Sequence, residues 1–443
     1  MRTACKTFAA LLLCLLLGGC TLFSPVRDLL SSPAFSPGNE ALRRAFESSF
    51  GTQVQYCTPI SGAYLSAFVV DDFDGDDGEE ALVFYLPDIF TSTVHIGVLD
   101  CEDGVWLRTA ELEGGGSDVY SVERIDLDTD GSTEIVLCWS TPDNSRVMSI
   151  YACADAPFSL QRLSEQAYTE KLLADFNSDG RTEIFTLSLY SEAGSQTARA
   201  RMSEKSGARI ALLDQIELDG KVSGYAGVLM QKTDFGCVLY ADAYKGEAQM
   251  ITEVIRFDAA ASSMTAPLLD AQTRTNERTW RSAAIRCRDM DGDGVPEIPC
   301  QRDALPGAEA LRGDTLRAYT VYLTHWCAFR GDELVPVADC LVHEDLRWQF
   351  RIPDDLRARF TLRVDPDADT WSFIEFDPDT SAHGTHLFSV AFTTRAQWVK
   401  ERGSVYASYK LLRSEREDVL LLYEAQDSEM LSTLSDAFTY MQP

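Results

Sequence analysis

One nine-residue pattern recurs four times in this chain and limits what it can fold into. It reads Asp-x-Asp/Asn-x-Asp, a turn residue, two spacers, then Glu: "DFDGDDGEE" from 72, "DLDTDGSTE" from 126, "DFNSDGRTE" from 175 and "DMDGDGVPE" from 289. The first three copies start 54 and 49 residues apart, and the last follows after 114, close to twice that interval. A repeat near residue 232 is therefore expected to have lost its acidic loop and kept its strands, and "MQKTDFGCVLYADAY" fits the place. Units of about fifty residues, each carrying several short strands, point to a radial or stacked β array.

Carboxylates crowded at alternate positions repel one another unless a cation sits among them. Side-chain oxygens at positions 1, 3, 5 and 9, with a tight turn at position 6, form the oxygen-rich shell that calcium prefers. The expected ligands are Asp72, Asp74, Asp76 and Glu80; Asp126, Asp128, Asp130 and Glu134; Asp175, Asn177, Asp179 and Glu183; and Asp289, Asp291, Asp293 and Glu297. An EF-hand would need Glu at position 12 and flanking helices, whereas position 12 is Val83, Leu137, Thr186 or Cys300 and the flanks are β-type. Position 2 (Phe73, Leu127, Phe176, Met290) and position 10 (Ala81, Ile135, Ile184, Ile298) are apolar and should anchor both ends of each loop in the core. Asp77 stands where the other copies have Gly, which predicts a weaker first site. Asn177 lowers the charge of the third site while keeping a ligand oxygen.

These loops resemble the FG-GAP or VCBS-type repeats of bacterial surface proteins, related to the calcium-bearing blades of the integrin α-subunit propeller. The likeness covers roughly residues 51 to 343 and rests on the loop motif and its period; the Phe-Gly and Gly-Ala-Pro landmarks are mostly absent. The resemblance implies four-stranded blades around an axis, with calcium in a turn between adjacent strands of a blade. The expected fold class is thus mainly β, a propeller-like array of about five repeats followed by a smaller α+β domain at 344–443.

The N-terminus supplies an address. Arg2 and Lys6 precede an apolar stretch from Phe8 to Leu17, too short to span a bilayer, and Leu17-Gly18-Gly19-Cys20 resembles a bacterial lipobox. Residues 1–19 then read as a lipoprotein signal peptide, Cys20 as the lipidation site, and 21–38 as a Pro-containing tether. "NEALRRAFESSF" puts Leu42, Ala45, Phe46 and Phe50 on one helical face, with Asn39 as cap. The expected localisation is the extracytoplasmic face of a bacterial cell membrane, with lipid on Cys20 as the anchor. Net charge is -30, and loss of Arg2 and Lys6 with the signal takes it two units lower. Such a surface repels nucleic acid and favours divalent cations or basic partners.

Beyond Cys5, Cys14 and Cys20, nine Cys remain, an odd number that implies no dense disulfide framework. Cys287 with Cys300, and Cys327 with Cys340, are each spaced to meet across a hairpin. After residue 343, "ARFTLRVD", "TWSFIEFD", "THLFSVAFT", "SVYASYKLL" and "DVLLLYE" read as strands, Thr394 and Gln397 as a capping box, and 427–440 as a closing helix.

Other motifs are weaker. Arg-Gly-Asp occurs at 312–314 and 330–332, where turn chemistry explains it. His383 and His386 lack a third ligand nearby in sequence, and "VDPDADTW" imitates the acidic loops without their Glu. "EGGGSD" at 113–118 reads as a flexible turn. There is no Gly-x-Ser-x-Gly, His-Glu-x-x-His or phosphate-cradling Gly loop. The function expected is a surface-anchored, calcium-stabilised module that binds a protein or glycan. An extracytoplasmic polysaccharide-processing enzyme and a structural part of an envelope assembly are the alternatives.

Overall fold

The computed structural model describes residues 37–76, 78–143, 145–154, 157–192, 195–301, 303–343, 345–423 and 434–441. The expected signal peptide, Cys20 and nearly all of the tether lie outside the described residues. The described chain is mainly β, in successive sheets with no closed barrel among the described residues. It divides into two compact units: Met1–Glu123 with Leu137–Ser140 and Cys153–Gln161, and Arg124–Val136 with Thr141–Ala152 and Arg162–Pro443.

In the first unit, helix α1 (Pro37–Phe50) buries Leu42 and Phe46 completely against Phe68, Val83, Tyr85 and Leu99. The helix begins two residues before Asn39, which is therefore not its cap. The first sheet contains Gln55–Tyr56, Phe68–Asp71, Glu80–Leu86, His95–Glu102 and Val105–Glu113. Its strand Glu80–Leu86 is a nearly continuous apolar run buried on both faces, whereas Val105–Glu113 alternates and lies at an edge. The glycines of "EGGGSD" have a packing role that the sequence reading missed. A Cβ on Gly116 would stand 2.4 Å from the Ser140 carbonyl oxygen, and one on Gly114 would stand 2.7 Å from the Trp139 ring.

The same meander repeats. The second sheet follows the order Ser159–Tyr168, Arg146–Ala154, Glu134–Ser140, Asp118–Ile125, with Ser61–Gly62 added in parallel at the edge. In the second unit, Glu170–Ala174, Glu183–Glu192, Ser195–Lys205 and Ile210–Glu217 form the third sheet, and Gly224–Thr233, Gly236–Tyr244, Met250–Asp258 and Ser263–Thr265 the fourth. In the fourth sheet the acidic loop is replaced by a two-residue turn, Asp234-Phe235, closed by the pairing of Thr233 with Gly236. That is where the spacing argument put the degenerate repeat.

The fifth sheet orders Glu297–Cys300, Leu323–Arg330, Glu333–Val342, Trp348–Arg351 and Phe438–Tyr440. Apolar cores join neighbours within this unit. Phe185 and Leu187 of the third sheet pack with Leu239 and Ile251 of the fourth, and Tyr240 and Val254 of the fourth with Ile298 and Phe329 of the fifth.

A seven-stranded sheet completes the second unit: Thr315–Ala318, Glu309–Arg312, Phe360–Asp365, Thr370–Asp377, Ala382–Thr394, Asp418–Tyr423 and Lys410–Glu415. Phe350 and Trp348 of the fifth sheet share a core with its Phe373 and Phe388. Helix α2 (Arg395–Glu401) is capped as expected, the Thr394 hydroxyl accepting from the Gln397 amide. Three expectations change here. Strands at 309–318 precede residue 343 yet belong to the C-terminal sheet, because Glu309–Arg312 pairs in parallel with Phe360–Asp365. The segment from Ser404 turns before its strand opens at Lys410. Of the expected closing helix, residues 434–437 are helical, the end is instead the strand Phe438–Tyr440 paired with Trp348–Arg351, and residues 427–433 lie outside the described residues.

Candidate metal centres

The four acidic loops fold alike. Glu80, Glu134, Glu183 and Glu297 are buried, and each opens the strand after its loop. Each accepts a hydrogen bond from the amide of its own position 2: Phe73 at 2.7 Å, Leu127 at 3.0 Å, Phe176 at 2.8 Å and Met290 at 2.7 Å. The position-2 rings and chains of Phe73, Leu127 and Phe176 are buried, as are Ala81, Ile135, Ile184 and Ile298 at position 10. The anchoring at both ends that the sequence implied is therefore present. Asp126, Asp175 and Asp289 accept the position-6 glycine amide at 3.0, 3.1 and 2.9 Å. Asp76, Asp130, Asp179 and Asp293 accept the position-7 amide at 2.7 to 2.8 Å.

The turn needs positive φ twice. Position 6 is Gly131, Gly180 or Gly294 at φ 92, 89 and 83°; Asp77, its counterpart in the first loop, lies outside the described residues. Position 4 does the same with Gly75 at 86° and Gly292 at 82°, but with Ser178 at 64° and Thr129 at 57° in the two middle loops. A β-branched residue in that region costs about 1–2 kcal/mol, so the second loop carries the most backbone strain.

Oxygen atoms converge in three loops. Asp72, Asp74 and Glu80; Asp126, Asp128 and Glu134; and Asp289, Asp291 and Glu297 each offer oxygens within 4.8 Å of one another. The position-5 carboxylates Asp76, Asp130 and Asp293 are not in these close groups. Burial first, and then neighbouring carboxylates, push Glu80 up to about 7. Burial likewise takes Glu183 to about 7 and raises Glu134 and Glu297. The last loop gives the clearest fit to a cation: Glu297 is fully buried, and its Oε1 is without a hydrogen-bond partner. An orphaned carboxylate oxygen in that position is costly unless a cation satisfies it.

The two middle loops differ. In the third, Asn177 turns its amide nitrogen inward, donating to Glu183 Oε1 at 3.0 Å and Asp179 Oδ2 at 3.1 Å. Its oxygen, the expected ligand atom, accepts the Asp179 amide at 2.8 Å. In the second, the ammonium of Lys205 lies 2.7 Å from Asp128, 3.1 Å from Glu134 and 3.2 Å from Asp130. Burial disfavours that charge, yet hydrogen bonds to Asp128, Glu134 and Asp130 outweigh it and hold the Lys205 pKa above the usual lysine value.

Sequence reasoning missed a second buried polar cluster. The fully buried Arg281 guanidinium donates to Asp242 at 2.8 Å, to the Thr252 hydroxyl at 3.0 Å and to the Thr279 carbonyl at 3.2 Å. Asp242 also accepts the Cys287 amide at 2.8 Å. No spacing rule links Asp242 to Arg281. The pairs 287/300 and 327/340 are not bridged, and Cys300 faces Cys327. Both Arg-Gly-Asp triplets are hairpin turns. His383 bonds the Gly307 carbonyl and His386 the Ser389 hydroxyl, and neither belongs to a group of converging metal ligands among the described residues.

A cavity of about 380 Å³ in the second unit is lined by Gln301, Tyr319, Tyr322, His343, Asp369 and Trp371 among others. His343 is buried, stacks on Phe392 at 3.9 Å and places its ring nitrogens 2.8 Å from Asp345 and 2.9 Å from Asp369. Burial opposes its charge, but the two carboxylates prevail and take its pKa to about 9. An imidazolium so clamped has no free lone pair with which to take a proton. Its stabilising contribution is complete below the ordinary value of 6.5 and is lost as pH rises through 9. The loss is about 3 kcal/mol, an order-of-magnitude figure from the size of the shift. The His343 ring resonances should titrate near pH 9, and His343→Gln should flatten stability across this window; a midpoint at or below 6.5 would contradict the clamp.

No protein-family model matches the chain, and no curated protein matches it in sequence. Among solved structures it is similar to a protein named as a 6-phosphogluconolactonase from Bacteroides uniformis, with TM-score 0.22 and 11% identity over 73% of this chain and 85% of that one. It is also similar to an exo-β-1,3-galactanase from Phanerochaete chrysosporium, with TM-score 0.23 and 11% identity over 66% and 68%. Likenesses at this level carry neither a fold nor a function to this chain.

Proposed function

We propose that the chain is a calcium-stabilised, propeller-like binding module held on the extracytoplasmic face of a cell membrane by lipid on Cys20. The observation that carries the calcium reading is Glu297, which has a buried, unpartnered Oε1 and offers a carboxylate oxygen within 4.8 Å of oxygens of Asp289 and Asp291. Asp72, Asp74 and Glu80 would hold a second ion. Calcium supplies a hard positive centre that ties the start of one strand to the loop before it. Five consecutive sheets, the first four of them plain meanders and all but the fourth carrying the acidic loop before the strand that its Glu opens, support the propeller-like reading.

Rigid loops and the aromatic-lined cavity then present a fixed surface to a glycan or protein. Trp371, Tyr319 and Tyr322 line the cavity, with Asp369 among them. A soluble form starting at residue 37, tested in calcium against glycan panels and envelope proteins, should show saturable binding that Trp371→Ala weakens at least tenfold. Absence of saturable binding would sink the module reading, and cleavage of a polysaccharide would replace it with the enzymatic alternative.

A further inference from the structure

The second acidic loop has the same backbone, the same buried Glu and the same converging oxygens as its relatives, yet an ammonium group stands among them. Lys205 is the last residue of Ser195–Lys205 in the third sheet and is only 6% exposed. It donates to three carboxylates of a loop some seventy residues earlier, Asp128, Asp130 and Glu134. These are the residues that would ligate calcium. We infer that Lys205 is the resident cation of the second loop, so this loop takes no divalent ion while the protein is intact.

The physical case is one of exclusion. An ammonium at 2.7 to 3.2 Å from three ligand oxygens fills the space in which an ion would sit. A metal could enter only by expelling a buried, charged side chain that would then need new partners. One amine supplies three donors, one for each carboxylate it touches; it does not reach Asp126, whose Oδ1 is buried without a hydrogen-bond partner. The third loop is tied to the second as well: the Thr182 amide donates to the Leu127 carbonyl at 2.9 Å. The second loop is thus fastened by chain to chain, where its relatives would be fastened by an ion drawn from solution. The inference rests on the calcium reading of the other loops only for their occupancy; the Lys205 contact stands apart from it.

Native mass spectrometry of the full-length chain in detergent, with calcium added, counts bound ions. Lys205→Met should bind one calcium more than the wild type. Lys205→Gln, which keeps a donor and similar bulk, covers the case in which the first variant fails to fold. In chelator either variant should melt below the wild type, and calcium should return most of the difference. Equal ion counts in the wild type and both variants, or a wild-type count of four, overturn the assignment. A wild-type count of zero instead sinks the calcium reading of the other loops, and the Lys205 assignment is then decided by the difference between variant and wild type.

Discussion

In about millimolar calcium the chain is expected to melt far above its temperature in chelator. An ion that binds the folded state alone adds about 2.7 kcal/mol when its concentration is a hundred times its dissociation constant. Two such ions, at the first and last loops, would add about 5 kcal/mol, comparable with the 5–15 kcal/mol that holds a typical domain together. The demand comes from Glu80 and Glu297, buried carboxylates among further carboxylates, one with an oxygen left unpaired. Thermal unfolding followed by circular dichroism, with calcium, magnesium and chelator in parallel, measures it. Magnesium, smaller and strict about octahedral geometry, should do much less. Identical curves in all three would remove metal from the account.

Asp242→Ala should cost about 3–5 kcal/mol in urea denaturation with calcium present, because it leaves the Arg281 guanidinium buried without its counter-charge. The Cys287 amide loses its acceptor in the same step. Asp242→Asn, which keeps an acceptor oxygen for that amide, should lose less. Replacing both partners by apolar residues, Arg281→Met with Asp242→Leu, should recover much of the loss, since two desolvated charges disappear together. An unchanged urea midpoint in Asp242→Ala would mean that water reaches this pair.

The acidic loops were legible because their constraints are local. Nine consecutive residues contain the turn, the acceptors and the anchor, so Phe73, Glu80 and Ala81 sit where the pattern put them. The fourth repeat was legible for the same reason, since a missing loop shows as a doubled interval. What could not be read was set by partners distant in sequence. Lys205 meets Asp128 across 77 residues and Arg281 meets Asp242 across 39, and neither lysine nor arginine announces its partner by type or spacing. The orientation of the Asn177 amide could not be read, because the residue type gives oxygen and nitrogen together and only its neighbours decide which turns inward. The closing helix failed at Phe438, whose apolar neighbours suit either period over so short a run; pairing with Phe350 decides for a strand.

The two-residue turn at Asp234-Phe235 bears on the order in which the chain assembles. Strands joined so tightly close a loop of minimal entropy, on the microsecond scale of an isolated hairpin, and need nothing from solution to do so. Nine registered pairs follow directly from that turn, and both faces of the sheet carry apolar side chains that neighbouring sheets later cover. A chain that emerges where calcium is scarce would thus hold one finished sheet in its middle while the outer loops wait for ions. Amide hydrogens at 236–244 should accordingly be among the slowest to exchange whether or not calcium is present.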